Sequence, residues 1–505
     1  MMKLFTLTNE LKEKTVAGDE NIDISGISID SRTVKPGDLF VAITGNVENG
    51  HQYMGEAIRR GASALVGETP PPDGEDITFV SVPNSRIAAA FLAEAFHGHP
   101  SCELDVVGIT GTNGKSSTLY LLRSILDTAG YKSSGVGTIA YSVAGTEVPA
   151  SNTTPGPVEL SAALRRAVDA GHHYFVMEVS SHALHQYRVE ALRFKVAVYT
   201  NLSLDHLDYH HSIDEYFKAK RHLFELLPED VPGTRAVICA DDMYSGQIAD
   251  AARADKLTFG IANQADIRAR NVKTTLSRTS FDITTPAGEF SVELKLLGRH
   301  SVYNSLAATG AALALGIEIP TIKKGLESLV IVPGRFERIR EGQALEVVVD
   351  YAHTPEALKL LLESGRSICK GKLIVVFGAG GDRDRSKRPE MGKIVATLAD
   401  FAVVTSDNPR SEDPYTIALD LEIGFQKSGK ERGQDYLVIV DRREAIEEAL
   451  ATAEAGDLVI IAGKGHETYQ IFKDETIDFD DREVVRNWLR QMSKGEKRDN
   501  GGNDT

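Results

Sequence analysis

The chain has 505 residues, 56 Lys and Arg against 72 Asp and Glu, and a formal net charge of −16 at pH 7. That length asks for roughly two to four domains rather than one core, and the acidic balance argues against general nucleic-acid binding. With no run of about 18 apolar residues and no basic-then-apolar start, neither a membrane span nor a signal peptide is expected.

Cys102, Cys239 and Cys369 are far apart and form no C-x-x-C, which fits buried thiols in a reducing cytoplasm better than disulfides or zinc. An anionic substrate would have to be held by local Arg, Lys, metal or backbone donors.

Residues 1–100 hold short apolar runs, clearest at Asp38-Leu-Phe-Val-Ala-Ile-Thr44, and end at His97-Gly-His-Pro-Ser101. A strand is expected over 104–109, then the loop Gly111-Thr112-Asn113-Gly114-Lys115-Ser116-Ser117 and a helix from Ser116 to Ala129. This is a phosphate-binding loop: its glycines permit a tight turn of inward N–H groups, Lys115 supplies a point charge, and Ser116 or Ser117 a hydroxyl for Mg²⁺. The helix dipole points the same way, and ATP is the favoured ligand. Further strands are expected at Tyr174–Val179, Val196–Leu202 and Ala236–Ala240, a hairpin over Thr279–Leu297 around Pro286-Ala-Gly288, and a helix over Val302–Leu315.

A second α/β unit follows Pro333-Gly334, with strands at Leu345–Asp350, Leu373–Phe377, Ala402–Thr405, Leu437–Val440 and Leu458–Ala462. The pattern gives an α/β chain of three domains: 1–100, a small N-terminal α/β unit; 101–333, a P-loop mononucleotide-binding unit; and 334–493, Rossmann-like, with a disordered tail at 494–505. Ligands of open α/β sheets sit beyond the carboxyl ends of strands. Six polar clusters fall there: Glu178–His182, Asn201–His206, Asp350–Thr354, Gly378–Asp384, Ser406–Arg410 and Gly463–Glu467. One site shared between two domains is the expectation.

Glu178 with His182, and Asp205 with His206, suit a Mg²⁺ that bridges phosphate and substrate. Lys220 by itself reads as one more charge on a helical surface. Arg335, at the seam between the two units, can reach a phosphate as the domains close, or form an interdomain ion pair. Arg383, Lys387, Arg388 and Arg410 offer partners for carboxylates, and Asp407 with Glu467 partners for an ammonium, a mixture that matches a zwitterionic amino acid.

The order Gly111-Thr-Asn-Gly-Lys115, Glu178-Val-Ser-Ser-His182, Asn201-Leu-Ser-x-Asp-His206, Tyr216-x-x-x-Lys220, Pro333-Gly-Arg335 and Asp350-Tyr-Ala-His353 resembles the Mur ligases of peptidoglycan precursor synthesis, across residues 25 to 490. The resemblance implies ATP- and Mg²⁺-dependent amide-bond formation. Asp30-Ser-Arg32, Gly37-Asp-Leu-Phe40, Asn152-Thr-Thr154, Gln186-Tyr-Arg188 and Gly380–Asp384 are similar to the members that extend UDP-N-acetylmuramoyl-L-alanyl-D-glutamate by a third residue. Asp407-Asn408-Pro409-Arg410 is similar to the form that adds meso-diaminopimelate, whose far carboxylate Arg410 could pair; lysine carries an ammonium there.

By that resemblance Ile29, Ser31, Asn46, Val47 and Glu48 contact the uridine nucleotide. Asn152, Thr153, Thr154, Ser180, Gln186 and Arg188 contact the rest of the nucleotide-sugar peptide. Lys220 is carboxylated by CO₂ and, with Ser116, Glu178 and His206, helps hold Mg²⁺. Asn304, Arg335 and Asp350 join the nucleotide site; Arg383, Asp407 to Arg410, Gly463 and Glu467 meet the amino acid. Lys115, Lys220, His206 and Arg335 carry the catalysis. Among His206, Asp350 and His353 no residue stands out as the base for the amine. Small-molecule substrates, no nucleic acid, no membrane, a cytoplasmic location and a monomer are expected. A lysine-adding ligase, a folylpolyglutamate synthetase-like enzyme and a nucleotide-binding regulatory module are the alternatives.

Overall fold

The computed structural model describes residues 1–45, 48–71 and 76–499, with side chains described through 492. It is α/β and built on three main sheets.

The first is five-stranded, in the order Thr15–Ala17, Thr78–Ser81, Ala64–Gly67, Asp38–Val41, Gly26–Ser28, parallel except for its first pair. Its helix Ser85–Phe96 is capped by Asn84, whose side chain accepts from the Arg86 and Ile87 amides and so satisfies donors the helix itself leaves open. Glu94 on that helix is buried and accepts from Ser101 N at 2.8 Å and Ser161 Oγ at 3.0 Å. Both charge-assisted bonds tie this unit to the next.

The central sheet has eleven strands. Its parallel core runs Ser133–Val136, Tyr174–Glu178, Asp105–Thr110, Phe194–Tyr199, Arg235–Cys239, Asp255–Gly260. Val106, Val107 and Ile109 are fully buried, as the continuous apolar run of a strand covered on both faces requires. The expected hairpin is present as Thr279–Thr285 paired with Gly288–Leu294. The strand expected to reach Leu202 stops at Tyr199, because Thr200 and Asn201 turn to bind the phosphate loop instead. Behind that loop, helix Lys115–Thr128 packs on Ile319–Ser328 so closely that a Cβ on Gly325 would lie 2.4 Å from Ile125 Cα.

The third sheet is six-stranded, ordered Glu337–Ile339, Glu346–Asp350, Leu458–Ala462, Leu373–Phe377, Phe401–Val404, Tyr436–Val438, with only the first pair antiparallel. Asp105–Thr110 and its neighbours in the central sheet, and Glu346–Asp350 and Leu458–Ala462 here, end on the loops that carry the polar clusters. The final helix runs Asp481–Asp499, into the segment expected as a tail from 494. Lys, Glu and Arg are good helix formers, and adding residues to an existing helix is far easier than starting one. Residues 500–505 lie outside the described residues.

Arg442 and Asp481, both 0% exposed in their side chains, are paired at 2.8 Å, and Arg442 also donates to Ser406 O and Ala462 O. This buried pair fixes the base of the last helix under the third sheet. Asp481→Ala would leave a buried guanidinium without its counter-charge, a loss of about 3–5 kcal/mol. Urea unfolding of the C-terminal unit should show that loss, and a change under about 1 kcal/mol would mean that the pair is solvated in solution.

Candidate active site

The phosphate loop is built from its own sequence outward. Gly111 has φ +143° and Gly114 φ +93°, and added Cβ atoms would fall 1.9 Å from Thr200 Oγ1 and 2.4 Å from Asn304 Oδ1. Only glycine suits such positions. Asn201 grips the loop from the next strand end: its carbonyl accepts Thr112 N at 2.9 Å, its Oδ1 accepts Asn113 N at 2.9 Å, and its Nδ2 donates to Asn113 O at 3.0 Å. Asn304, read as a nucleotide contact, is thus packed against the loop from the helix Arg299–Ala314.

Two lysines converge on one carbonyl. Lys115 Nζ donates to Gly111 O at 2.9 Å and Thr112 O at 3.0 Å, and Lys220 Nζ donates to Gly111 O at 2.8 Å. Lys220 is 1% exposed and lies over the Tyr216 ring, 4.4 Å from its centroid. Burial and the neighbouring Lys115 push its pKa well down, and burial also lowers that of Lys115. The surface reading of Lys220 from spacing alone is therefore corrected: the apolar face of its helix, with Tyr216 and Phe217 buried, turns it inward.

Glu178 is also buried. Its two oxygens accept from Thr138 N and Thr138 Oγ1, each at 2.9 Å. Thr154 Oγ1 donates to Glu178 O at 2.9 Å and accepts Ser180 N at 3.0 Å, and Thr153 Oγ1 lies 3.1 Å from Thr138 Oγ1. Arg188 donates to Thr154 O at 2.8 Å and to Gln186 Oε1 at 2.7 Å, while Asn152 N donates to the Tyr141 hydroxyl. Thr153, Thr154, Ser180, Gln186 and Arg188, read as contacts to the sugar-peptide, thus form one network that ends on Glu178, while Asn152 is held separately by Tyr141. Ile29 is half-buried, its Cδ1 3.7 Å from where a Cβ on Gly156 would lie. Ser31 is buried at the start of a short 3₁₀ turn capped by Asp30, and Glu48 is exposed. Asn46 and Val47 lie outside the described residues.

Beside the loop, the His182 ring sits 4.8 Å from His206, 4.2 Å from Tyr209 and 5.5 Å from His210. His206 has φ +54° and its Nε2 is 3.5 Å from Asp205 Oδ2. Burial lowers the pKa of His206 despite that carboxylate, and burial lowers His182 and His210 to about 4.

The third sheet faces this site. Arg335 Nη2 donates to Ser116 Oγ at 3.2 Å and its guanidinium lies 4.5 Å over the Tyr351 ring. Asp350 accepts from Phe336 N at 2.6 Å and Ala352 N at 2.7 Å, so it holds the backbone that aims Arg335. Lys387 Nζ stands 3.8 Å from Asp205 Oδ1.

Farther along the same edge, Lys464 is fully buried and donates to Asn408 Oδ1 at 3.0 Å and Glu467 Oε2 at 2.9 Å, and Asn408 Nδ2 also bonds Glu467 Oε2. Glu467 thus already holds an internal ammonium. Asp407 Oδ2 is buried without a partner, 2.5 Å from the Cβ position of Gly463. Burial alone would raise the Asp407 pKa, but Lys464 and Arg442 hold it below its usual value. Pro409 carries the chain to Arg410, which adopts φ +51°. Arg410 donates only through Nη1, to Gly381 O at 2.8 Å and Asn408 O at 3.4 Å, and Arg383 only to Asp382 O. Among the described residues neither has a carboxylate partner. Arg388, expected to bind carboxylates of a ligand, is instead fully buried and bonded to Glu412 and Asp420.

Tyr216, Tyr351 and Lys464 lay inside the motifs and clusters read from the sequence but were given no role there; Thr138 and Tyr209 meet the site only through the fold.

A phosphate loop with an arginine donated across a domain cleft is the site of a nucleotide-dependent enzyme. Family models agree along the chain: Mur ligase family, catalytic domain, matches 23–99, Mur ligase middle domain 109–312, and Mur ligase, glutamate ligase domain, 334–465. The chain belongs to the Mur ligase family. It is 44% identical over 493 residues to the UDP-N-acetylmuramoyl-L-alanyl-D-glutamate--2,6-diaminopimelate ligase of Syntrophomonas wolfei, covering 98% of this chain and 100% of the relative. The ligase of the same name from Geobacillus thermodenitrificans is 44% identical, covering 96% and 99%. A solved structure of a ligase of that name superposes with a TM-score of 0.68 at 32% identity, covering 97% of this chain and 100% of the other. A MurF ligase from Thermotoga maritima, solved with ADP, shares the fold with a TM-score of 0.63 at 21% identity, over 94% and 98% of the two chains.

The neutral histidines carry a pH consequence. With folded pKa values near 4 for His182 and His210 against about 6.5 unfolded, the unfolded chain binds protons that the native state refuses as pH falls from about 6.5 toward 4. Stability is complete above that window and falls through it. The urea midpoint should drop between pH 7 and pH 5, less steeply in His210→Gln. An equal slope in both proteins would mean that His210 is protonated in the fold.

Proposed function

We propose that this ligase joins meso-2,6-diaminopimelate to UDP-N-acetylmuramoyl-L-alanyl-D-glutamate, with ATP as phosphoryl donor. The observation that carries the choice of amino acid is the pair Arg383 and Arg410: two guanidiniums on two facing loops, bonded among the described residues only to backbone carbonyls. A guanidinium left with free N–H groups suits a bidentate carboxylate. A lysine substrate would bring an ammonium to the same place.

The chemistry follows from the order of groups across the cleft. The loop 111–117 binds the nucleotide phosphates, and Lys115 exchanges its carbonyl bonds for phosphate oxygens. The substrate γ-carboxylate takes the γ-phosphoryl group and becomes an acyl phosphate. The amine of diaminopimelate attacks that carbon, the C–N bond forms, the acyl C–O bond breaks with its electron pair leaving on phosphate, and the nitrogen's proton passes to the departing phosphate or solvent. Arg335, held by Asp350 and Tyr351 and already on Ser116, neutralises charge where the phosphoryl group moves. The Asp407–Arg410 loop and Glu467 orient the amino acid, so that most of the rate enhancement comes from positioning.

Among the described residues no three His, Cys, Asp or Glu side chains form a metal cluster. Mg²⁺ needs only one or two protein donors beside phosphate oxygens, and Ser116, buried Glu178 and His206 suit that role. Bound there, the ion would offset phosphate charge and polarise the phosphoryl group. Lys220, whose pKa is pushed down by burial and by Lys115, gives up its proton more readily than an ordinary lysine, and the free amine can take up CO₂. A carbamate at that position would replace a second buried cation with an anion facing the first.

Phosphate release from ATP, Mg²⁺ and the UDP-linked dipeptide, run with meso-diaminopimelate and with L-lysine, tests the reading. Turnover with diaminopimelate at least about tenfold above lysine, a difference of about 1.4 kcal/mol, is expected. Preference for lysine would keep the family and overturn the role given to Arg383 and Arg410.

A further inference from the structure

Lys387 is the cation in the cleft that the account above leaves without work. It opens the helix Lys387–Leu398, four residues after Arg383. The next residue, Arg388, is locked by Glu412 at 2.8 Å and Asp420 at 2.9 Å. That buried anchor fixes the first turn of the helix, so Lys387 is presented to the cleft from a rigid base.

Its side chain is 13% exposed, and its only ion-pair partner among the described residues is Asp205 Oδ1 at 3.8 Å, itself on a side chain 10% exposed. That separation is an ion pair without a hydrogen bond, and Lys387 makes no hydrogen bond with any described residue. Asp205 is otherwise occupied: its Oδ1 accepts His206 N at 2.9 Å. It also stands close enough to Lys115 and Lys220 to act on both electrostatically. An ammonium with three unused donors, mostly removed from water and paired with an aspartate that also acts on the phosphate-loop lysines, lacks an acceptor. The acceptor that fits is an anion rich in oxygens at the phosphate end of the loop.

We propose that Lys387 is a catalytic residue of the phosphoryl-transfer step, a cation that the C-terminal domain sets against the oxygens of the transferred phosphoryl group. This rests on the ligase reading above. As a carboxylate oxygen of the acceptor attacks the γ-phosphorus, the P–O bond to the β-phosphate breaks and its electron pair leaves on ADP. Lys387 gives up no proton; its N–H groups follow the charge on the equatorial oxygens. The Asp205 pair holds the ammonium beside the site until those oxygens arrive. Phosphoryl transfer thus depends on a residue of the domain that binds the amino acid.

The test uses the full-length protein with ADP plus aluminium fluoride as the phosphoryl mimic, and with ADP alone. Lys387→Gln should weaken binding of the mimic by about tenfold or more and leave ADP within about twofold. In steady state it should lower kcat by about 100-fold, the scale of losing one transition-state donor, with KM for the amino acid within about threefold, and Lys387→Arg should recover part of the loss. Equal weakening of ADP and its fluoride complex would make Lys387 a strut acting through Asp205 and overturn the proposal. If the parent protein turns over neither amino acid, the ligase reading fails, and the fluoride-complex measurement still decides Lys387.

Discussion

Everything at this site is arranged around the carbonyl of Gly111. Two lysines from elements more than 100 residues apart donate to it, in a place where burial lowers the pKa of both. Such crowding is unfavourable unless an anion shares it. The loop can hold it because Gly111 and Gly114 take positive φ and because Asn201 and Thr200 clamp the backbone from the next strand. The parallel core of the central sheet exists, functionally, to put those two strand ends side by side.

From that point the remaining parts follow as neutralising or positioning groups. Glu178 and Asp205 bring negative charge toward the lysines, and each is connected outward: Glu178 to the Thr138, Thr153 and Thr154 network, Asp205 to Lys387 of the C-terminal unit. Arg335 crosses the same cleft to Ser116. The substrate-facing networks of the two domains therefore end on the same small group of charges. A ligase that must phosphorylate one substrate before admitting attack by another needs its two binding surfaces coupled in this way.

Much of this was legible in the sequence, for physical reasons that differ by residue. The phosphate loop declares itself because glycine, lysine and hydroxyl residues are needed at fixed spacing between a strand and a helix. The strand-end clusters were readable because parallel sheets bind ligands at one edge. Lys220 was not readable from spacing, since its partner is a carbonyl 109 residues away and only the buried face of its helix makes the contact; family resemblance singled it out instead. Arg388 was misread from composition: it stands in a basic run, yet two carboxylates on the neighbouring chain segment bury it. Likewise Glu467 looked free to take an ammonium, but Lys464, three residues before it, already supplies one. The partners of Arg388 are brought in by the fold, which spacing along the chain cannot show; the Lys464–Glu467 pair is local, and burial of Lys464 is what fixes it.

The central claim is that the Gly111–Lys115 loop is a phosphate site whose affinity comes from charge. Calorimetric titration of the substrate-free protein with ATP, ADP and AMP in Mg²⁺ measures it directly. The account predicts binding that strengthens with each phosphate, with AMP at least about 100-fold weaker than ATP, or about 2.8 kcal/mol. AMP binding within a few-fold of ATP would place the affinity in the base and sugar, and contradict the role given to the two lysines.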